Sequence, residues 1–247
     1  MPRHASKNGF SALSFFAFSL LLCVVLFLFS LITSRFYQTE NRAAEKSIDT
    51  SVTVILDAGH GGEDGGAIGV NGVYEKDLNL AITKQIASDL KEKGISVICT
   101  RNEDVLLYDK TVDYKGRKKM LDLAARLKIA RDTENSIFIS IHMNSFPQSK
   151  YNGLQVYYSK NDSRSSELAN RIQERIREQL QPSNTRKTKA ASSGIYLLDR
   201  ISSPAVLIEC GFLSNPAECE LLSEETYQKQ LSALLADTIA DYVNSLS

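Results

Sequence analysis

The sequence has no excess charge of either sign: 29 Lys and Arg stand against 29 Asp and Glu. Nucleic acid is therefore not an expected partner, since it would require a basic footprint. Residues 1–33 carry two of the basic residues and none of the acidic ones, which leaves residues 34–247 with a formal charge of −2. Local basic runs do occur, at Lys115, Arg117, Lys118 and Lys119, and at Arg186, Lys187 and Lys189. They read as solvated faces, or as places where an exported chain meets an acidic polymer. Cysteine is scarce. Cys23 falls in an apolar segment, and Cys99, Cys210 and Cys219 have no C-x-x-C spacing for metal or redox work, which leaves buried thiols or one disulfide. There is no internal repeat and no low-complexity tail. Histidine is scarcer still: beyond His4 the chain has only His60 and His142.

What is present starts with a segment set apart from the rest. At 247 residues, 43% of them hydrophobic, the chain accommodates one domain of about 200 residues plus an additional piece. Residues 10–33 contain no charge and are dense in Leu, Phe and Val, a run long enough to cross a bilayer as a helix. A cleaved signal peptide has a shorter apolar region and ends on small residues, so an uncleaved signal anchor is the expectation and a signal peptide the alternative. Arg3 and Lys7 precede the run, which places the N-terminus in the cytoplasm and everything after Ser34 outside. Residues 34–50 are polar and charged and read as a linker. Residues 51–247 are the folded domain.

Within that domain, strands and helices alternate. Val52–Leu56 is a continuous β-branched and aliphatic run, suited to a strand covered on both faces. Leu78, Ile82, Ile86 and Leu90 recur every four residues from Glu75 until Gly94, which predicts a helix. Strands follow at Ile95–Thr100 and Ser136–Ile141, the second preceded by a helix carrying Leu121, Ala125, Leu127 and Ile129. Leu154–Tyr158 is a further strand, and Leu168, Ile172, Ile176 and Leu180 mark a helix that Pro182 stops. Short strands are expected at Gly194–Leu198 and Ala205–Ile208, then a last helix over about Glu224–Leu246. This order predicts an α/β fold: one domain with a mostly parallel central sheet flanked by helices on both faces, preceded by the membrane or signal segment.

In such sheets ligands bind beyond the C-terminal ends of the strands. The stretch VTVILDAGHGG, Val52–Gly62, changes there from strand to glycine loop, and its glycines let the backbone approach a ligand while His60 is held at the strand's end. His142 follows the end of Ser136–Ile141, and Glu209 that of Ala205–Ile208, so the three cluster although they are far apart in sequence. Two imidazoles and a carboxylate match a catalytic zinc site with an open fourth position. Two carboxylates compete for the third place. Glu75 would open a helix within reach of the glycine loop, where an acid is also favourable without any metal. Glu209 on an apolar strand end is desolvated unless a metal pairs with it or it shuttles protons beside one.

The segments VILDAGHGGEDGGAIG, EKDLNL, FISIHMNS and PAVLIECGFLSNPAE, taken in this order, resemble the motifs of the zinc-dependent N-acetylmuramoyl-L-alanine amidases of the amidase-3 family. The likeness runs from about Val52 to Tyr242. It implies that His60, Glu75 and His142 are the Zn2+ ligands and that Glu209 is the catalytic base. It further implies an extracytoplasmic enzyme, membrane-anchored or secreted to the cell wall, that acts on peptidoglycan glycan strands and stem peptides without an organic cofactor. No activating protein is specified. The compact, anchored pattern is most similar to the germination-specific members, which act in making spore cortex. Met143 stands where many members have a small residue and is expected to narrow the site. An inserted helix that blocks the zinc in some members looks absent, because Tyr158 is followed within a few residues by the next helix, and cell-wall-binding repeats look absent too. Other classes are a non-catalytic peptidoglycan-binding module on the same fold and a different exported zinc hydrolase, a carboxypeptidase or deacetylase.

Overall fold

The first strand is built from residues that cannot face water. In the computed structural model, which describes residues 21, 26–31, 33, 52–109, 111 and 113–246, β1 spans Thr53–Ala58, with Val54, Ile55 and Leu56 fully buried. It pairs in parallel with β2 (Val97–Cys99) on one side and β3 (Ser136–Asn144) on the other. β3 runs parallel to β6 (Ala205–Phe212), and β6 is antiparallel to β4 (Gln155–Tyr158), which carries the short β5 (Lys189–Ala190) at the edge. The order is β2-β1-β3-β6-β4-β5, a mixed sheet that is mostly parallel.

Alternation along each strand sends neighbours to opposite faces, and each face has its own core. On one face Val54, Leu56, Ile139, Ile141, Val206 and Ile208 pack with Leu78, Ile82 and Ile86 of α1 (Glu75–Glu92), Leu168 and Ile172 of α3 (Arg164–Gln179), and Leu235 and Ile239 of α6 (Glu225–Asn244). On the other, Ile55, Phe138 and Ala205 pack with Leu127 and Ala130 of α2 (Lys118–Asp132) and with Leu197 and Leu198 of α4 (Tyr196–Arg200). The predicted helical spacing ends where expected: Gly94 and Ile95 N–H donate back to the carbonyls of Lys91 and Leu90, closing the C-terminus of α1.

Three expectations differ from the structure. Gly194–Leu198 is not a strand: Tyr196–Arg200 is one helical turn, and the edge strand lies earlier, at Lys189–Ala190. A short apolar run suits either state. Here the adjacent Leu197 and Leu198 are both buried in one core cluster with Ile201, which strand alternation would prevent. A helix over Pro216–Ser223, α5, was not anticipated; Asn215 caps it by accepting from the N–H groups of Ala217 and Glu218, with proline in its first turn. Met143 does not narrow the site, because it points to the face opposite His142 and is buried in the core. Cys99, Cys210 and Cys219 are free thiols, the latter two buried. Residues 159–163 alone join β4 to α3.

The chain divides into two units, Met1–Thr50 and Ser51–Ser247. In the first, residues 21, 26–31 and 33 are helical and exposed. Among the described residues no helix is long and apolar enough to cross a membrane. The apolar run at 10–33 lies for the most part outside those residues, as does the linker at 34–50.

Candidate metal centre

β1 delivers its loop to the C-terminal edge of the sheet, where two features leave no freedom in sequence. At Gly59 a Cβ would stand 2.3 Å from the His142 imidazole, so the backbone and the second histidine can approach only because no side chain intervenes. At Gly66, with φ of 68°, a Cβ would stand 2.5 Å from the Glu75 carboxylate. His60 itself has φ of 61°, a left-handed conformation uncommon for a non-glycine residue.

Two buried arginines hold that conformation. Arg126 of α2 donates to the carbonyls of Ala58 and His60, both at 2.7 Å, while its guanidinium pairs with Asp57 at 2.6 Å and Asp122 at 2.8 Å. Arg101 donates to the Ala58 carbonyl at 2.8 Å and the Gly59 carbonyl at 3.0 Å, and Asn79 reaches the Gly59 carbonyl at 3.1 Å. Asp57 also accepts from Ser140 at 2.6 Å and Thr100 at 2.7 Å. Burial raises its pKa, yet Arg126 and the two hydroxyls outweigh this and hold the carboxyl below its ordinary value of 3.8. Every carbonyl of the strained turn from Ala58 to His60 is thus satisfied by a side chain that the rest of the fold fixes.

The site residues named from the sequence come together. Glu75, 3% exposed at the start of α1, has Oε1 3.2 Å from His60 Nε2 and 2.9 Å from His142 Nδ1. Its orientation is set by the Met143 N–H, 3.1 Å from Oε1, and the Ala67 N–H, 2.8 Å from Oε2. One donor atom from each of His60, Glu75 and His142 lies within 4.8 Å of the others, a set able to hold a metal ion. On its far side His60 Nδ1 lies 2.9 Å from Asp64, an ion pair rather than an aligned hydrogen bond. A carboxylate behind a ligating imidazole is the usual outer partner of a metal-bound histidine. Burial lowers the His60 pKa, but Asp64 and Glu75 outweigh it and raise it to about 9. Burial works the other way on Glu75, and the two imidazoles overcome it to hold the carboxyl far below the usual range. Since histidine must be neutral to bind a metal, ion and proton compete for this cluster.

Glu209 stands beside the cluster and not in it. Strand register places it directly opposite His142, since both strands continue past the predicted ends and the two residues lie within β3 and β6. Its Oε2 is buried and has no hydrogen-bond partner among the described residues. Burial lifts its pKa to about 7, against the pull of His142. A cleft of about 270 Å³ opens here, lined on the far wall by Ile195, Tyr196 and Leu207 and at the mouth by Lys119.

Arg101, Asp57, Arg126 and Asp64 were not singled out from the sequence. A signal was there: Asp57 interrupts an apolar strand, and Arg126 lies on the buried stripe of a helix four residues after Asp122, so each needed a buried partner.

The profile of the family described as N-acetylmuramoyl-L-alanine amidase matches residues 54–241. A relative from Bacillus subtilis (strain 168), the germination-specific N-acetylmuramoyl-L-alanine amidase, is 36% identical over 93% of this chain and 94% of its own length. The CwlD amidase from Clostridioides difficile, solved in complex with the GerS lipoprotein, is 41% identical with a TM-score of 0.74, covering 78% of this chain and 99% of that one. The amidase AmiC2 of Nostoc punctiforme is 31% identical with a TM-score of 0.66, over 78% of this chain and 97% of that one. With the fold, the paired histidines and these matches spanning the whole domain, the chain belongs to the N-acetylmuramoyl-L-alanine amidase family.

Proposed function

We propose that the chain hydrolyses the amide between the lactyl group of N-acetylmuramic acid and the L-alanine of the peptidoglycan stem peptide, with Zn2+ held by His60, Glu75 and His142. The observation that carries this reading is the unpartnered carboxylate oxygen of Glu209 beside that three-donor cluster, on the residue that pairs across strands with His142. When bound, the ion supplies Lewis acidity, polarising the amide carbonyl and making an attacking water acidic near neutral pH. Glu209 accepts the proton of that water and returns it to the departing amine of alanine. Its burial keeps the proton affinity of the carboxylate high enough for both steps. Asp64 steadies the His60 ring, and the Arg126 and Arg101 contacts fix the loop that carries it. Mass spectrometry of digested peptidoglycan tests the reaction: intact stem peptides beginning with L-alanine are expected. Release of terminal D-alanine or acetate alone would make it a carboxypeptidase or deacetylase instead.

The similarity to the germination-specific relative supports a role in spore peptidoglycan, and similarity to the amidase solved with a lipoprotein supports an exported protein partner. Residues 1–33 act as the membrane anchor or signal, 34–50 as linker and 51–247 as catalytic domain, with the domain outside the cytoplasm. Protease added to intact protoplasts is expected to remove the domain. Protection until lysis would reverse the orientation.

A further inference from the structure

The cleft described above occupies one side of Glu209. On the other side the same sheet face carries a second hollow of about 270 Å³, lined by Asn144, Phe146, Tyr151, Arg186, Lys189 and Phe212, with Gln155 and Tyr157 on its floor. Register joins the two: Gln155 is the cross-strand partner of Glu209, and Tyr157 that of Leu207 in the cleft wall. A shift of register after His142 pairs Asn144 with Phe212 and so brings a phenyl ring to a place that regular pairing would have given to Gly211.

The aromatic rings form a shelf. Phe146 and Tyr151 meet edge to face at 5.0 Å, and Tyr151 and Phe212 follow at 6.2 Å. Phe146 and Tyr151 remain 46% and 37% exposed. Hydrogen bonds and a cation–ring contact anchor the shelf. The Phe146 N–H donates to Ser214, Asn215 donates to the Tyr151 carbonyl, and Arg186 lies 4.4 Å over the Phe212 ring while donating to Asn152 and Gln155. Arg186 and Lys189, read from sequence only as a basic run, thus edge an aromatic surface beside the proposed catalytic carboxylate. Adjoining exposed rings interleaved with amide and cationic donors suit a ligand with an apolar face and a polar rim.

We propose that this shelf is the saccharide subsite, on which a sugar ring of the glycan strand stacks while its hydroxyl and amide groups meet Asn144, Arg186 and Lys189. The proposal rests on the amidase reading and deepens it. The scissile amide hangs from a sugar, and one strand spacing, about 4.8 Å, separates Gln155 from Glu209. A muramic ring therefore reaches the shelf while the amide stays at Glu209, and the stem peptide is directed to the cleft on the other side.

The test uses the full-length chain and glycan strands already stripped of stem peptides, which the enzyme cannot cut, titrated calorimetrically. Phe146→Ala and the double variant Phe146→Ala/Tyr151→Ala are expected to bind these strands about tenfold more weakly than wild type, the loss of one or two ring contacts. In parallel, kcat/KM on polymeric peptidoglycan is expected to fall about tenfold more than kcat/KM on a D-lactoyl dipeptide, which keeps the scissile amide but has no sugar ring, and to do so through KM. Phe146→Ala removes only an exposed ring and keeps the test valid if the double variant does not fold. Wild type that ignores stripped glycan, or variants that retain it fully, would overturn the shelf as a saccharide site and leave a protein partner as its occupant. Failure of wild type to release any stem peptide would instead sink the amidase reading, which the same preparation reports separately.

Discussion

Replacing Glu209 by glutamine is expected to lower kcat by about 10² to 10⁴ while metal stays bound and the fold stays intact. That loss corresponds to roughly 3–5 kcal/mol of barrier, well within measurement. The amide keeps the shape of the carboxyl but cannot take a proton from water. Because Oε2 has no partner among the described residues and burial already disfavours the ionised form, stability should hold or rise slightly. Glu75→Gln is expected to behave in the opposite way. Its carboxylate faces both imidazoles and is fixed by two backbone N–H groups, so the neutral amide should lose the metal. Thermal melting with and without chelator separates the two: chelator lowers the midpoint of wild type and Glu209→Gln, and hardly moves Glu75→Gln. The reverse pattern would exchange the roles of the two acids. An active Glu209→Gln enzyme would remove the proposed base.

Arg126→Met should unfold the domain far more readily than its position away from the chemistry suggests. Arg126 is 1% exposed and pairs with Asp57 and Asp122, themselves 1% and 3% exposed. Removing the cation leaves two buried carboxylates with Arg101, whose donors are directed to backbone carbonyls. Breaking a buried pair from one side costs about 3–5 kcal/mol, because the charge left behind has lost its partner and cannot regain water. The carbonyl of His60 also loses its donor, so metal affinity should fall with stability. Methionine fills similar volume, which keeps a cavity term from dominating. Asp57→Asn added to Arg126→Met should recover part of the loss, since it removes one of the stranded charges. In wild type the depressed pKa of Asp57 contributes stability that is present above its ordinary value of 3.8 and lost as pH falls through the lower folded value. Urea unfolding of the single and double variants reads these terms, and a single-variant loss under about 1 kcal/mol would show that the pair is not what holds the turn.

Much of this was open to inspection in the chain itself. Leu78, Ile82, Ile86 and Leu90 carry the α1 stripe at a period that a strand cannot use, and Val52–Leu56 is too short and too β-branched for a buried helix. His60 and His142 can be paired from the chain alone, because a mostly parallel sheet brings the C-terminal ends of its strands to one edge and only these two histidines follow predicted strands. Local pattern did not separate helix from strand at Gly194–Leu198, where four apolar residues fit both and burial by α2 and the sheet decides.

The roles of the two glutamates were open to sequence only by likeness to a family, since both are acids beside apolar runs. Tertiary structure gives the two different surroundings: the Gly66 turn and the Met143 and Ala67 amides aim Glu75 between the imidazoles, while strand register leaves Glu209 facing His142 with an oxygen that has no partner among the described residues. The same holds for Arg126 and for the ring of Phe212, set on the site face by a one-residue slip in pairing. Periodicity records which side of its own element a residue occupies. Which distant partner meets it there depends on how the elements pack, and charges and strained turns are stabilised or not by those partners alone.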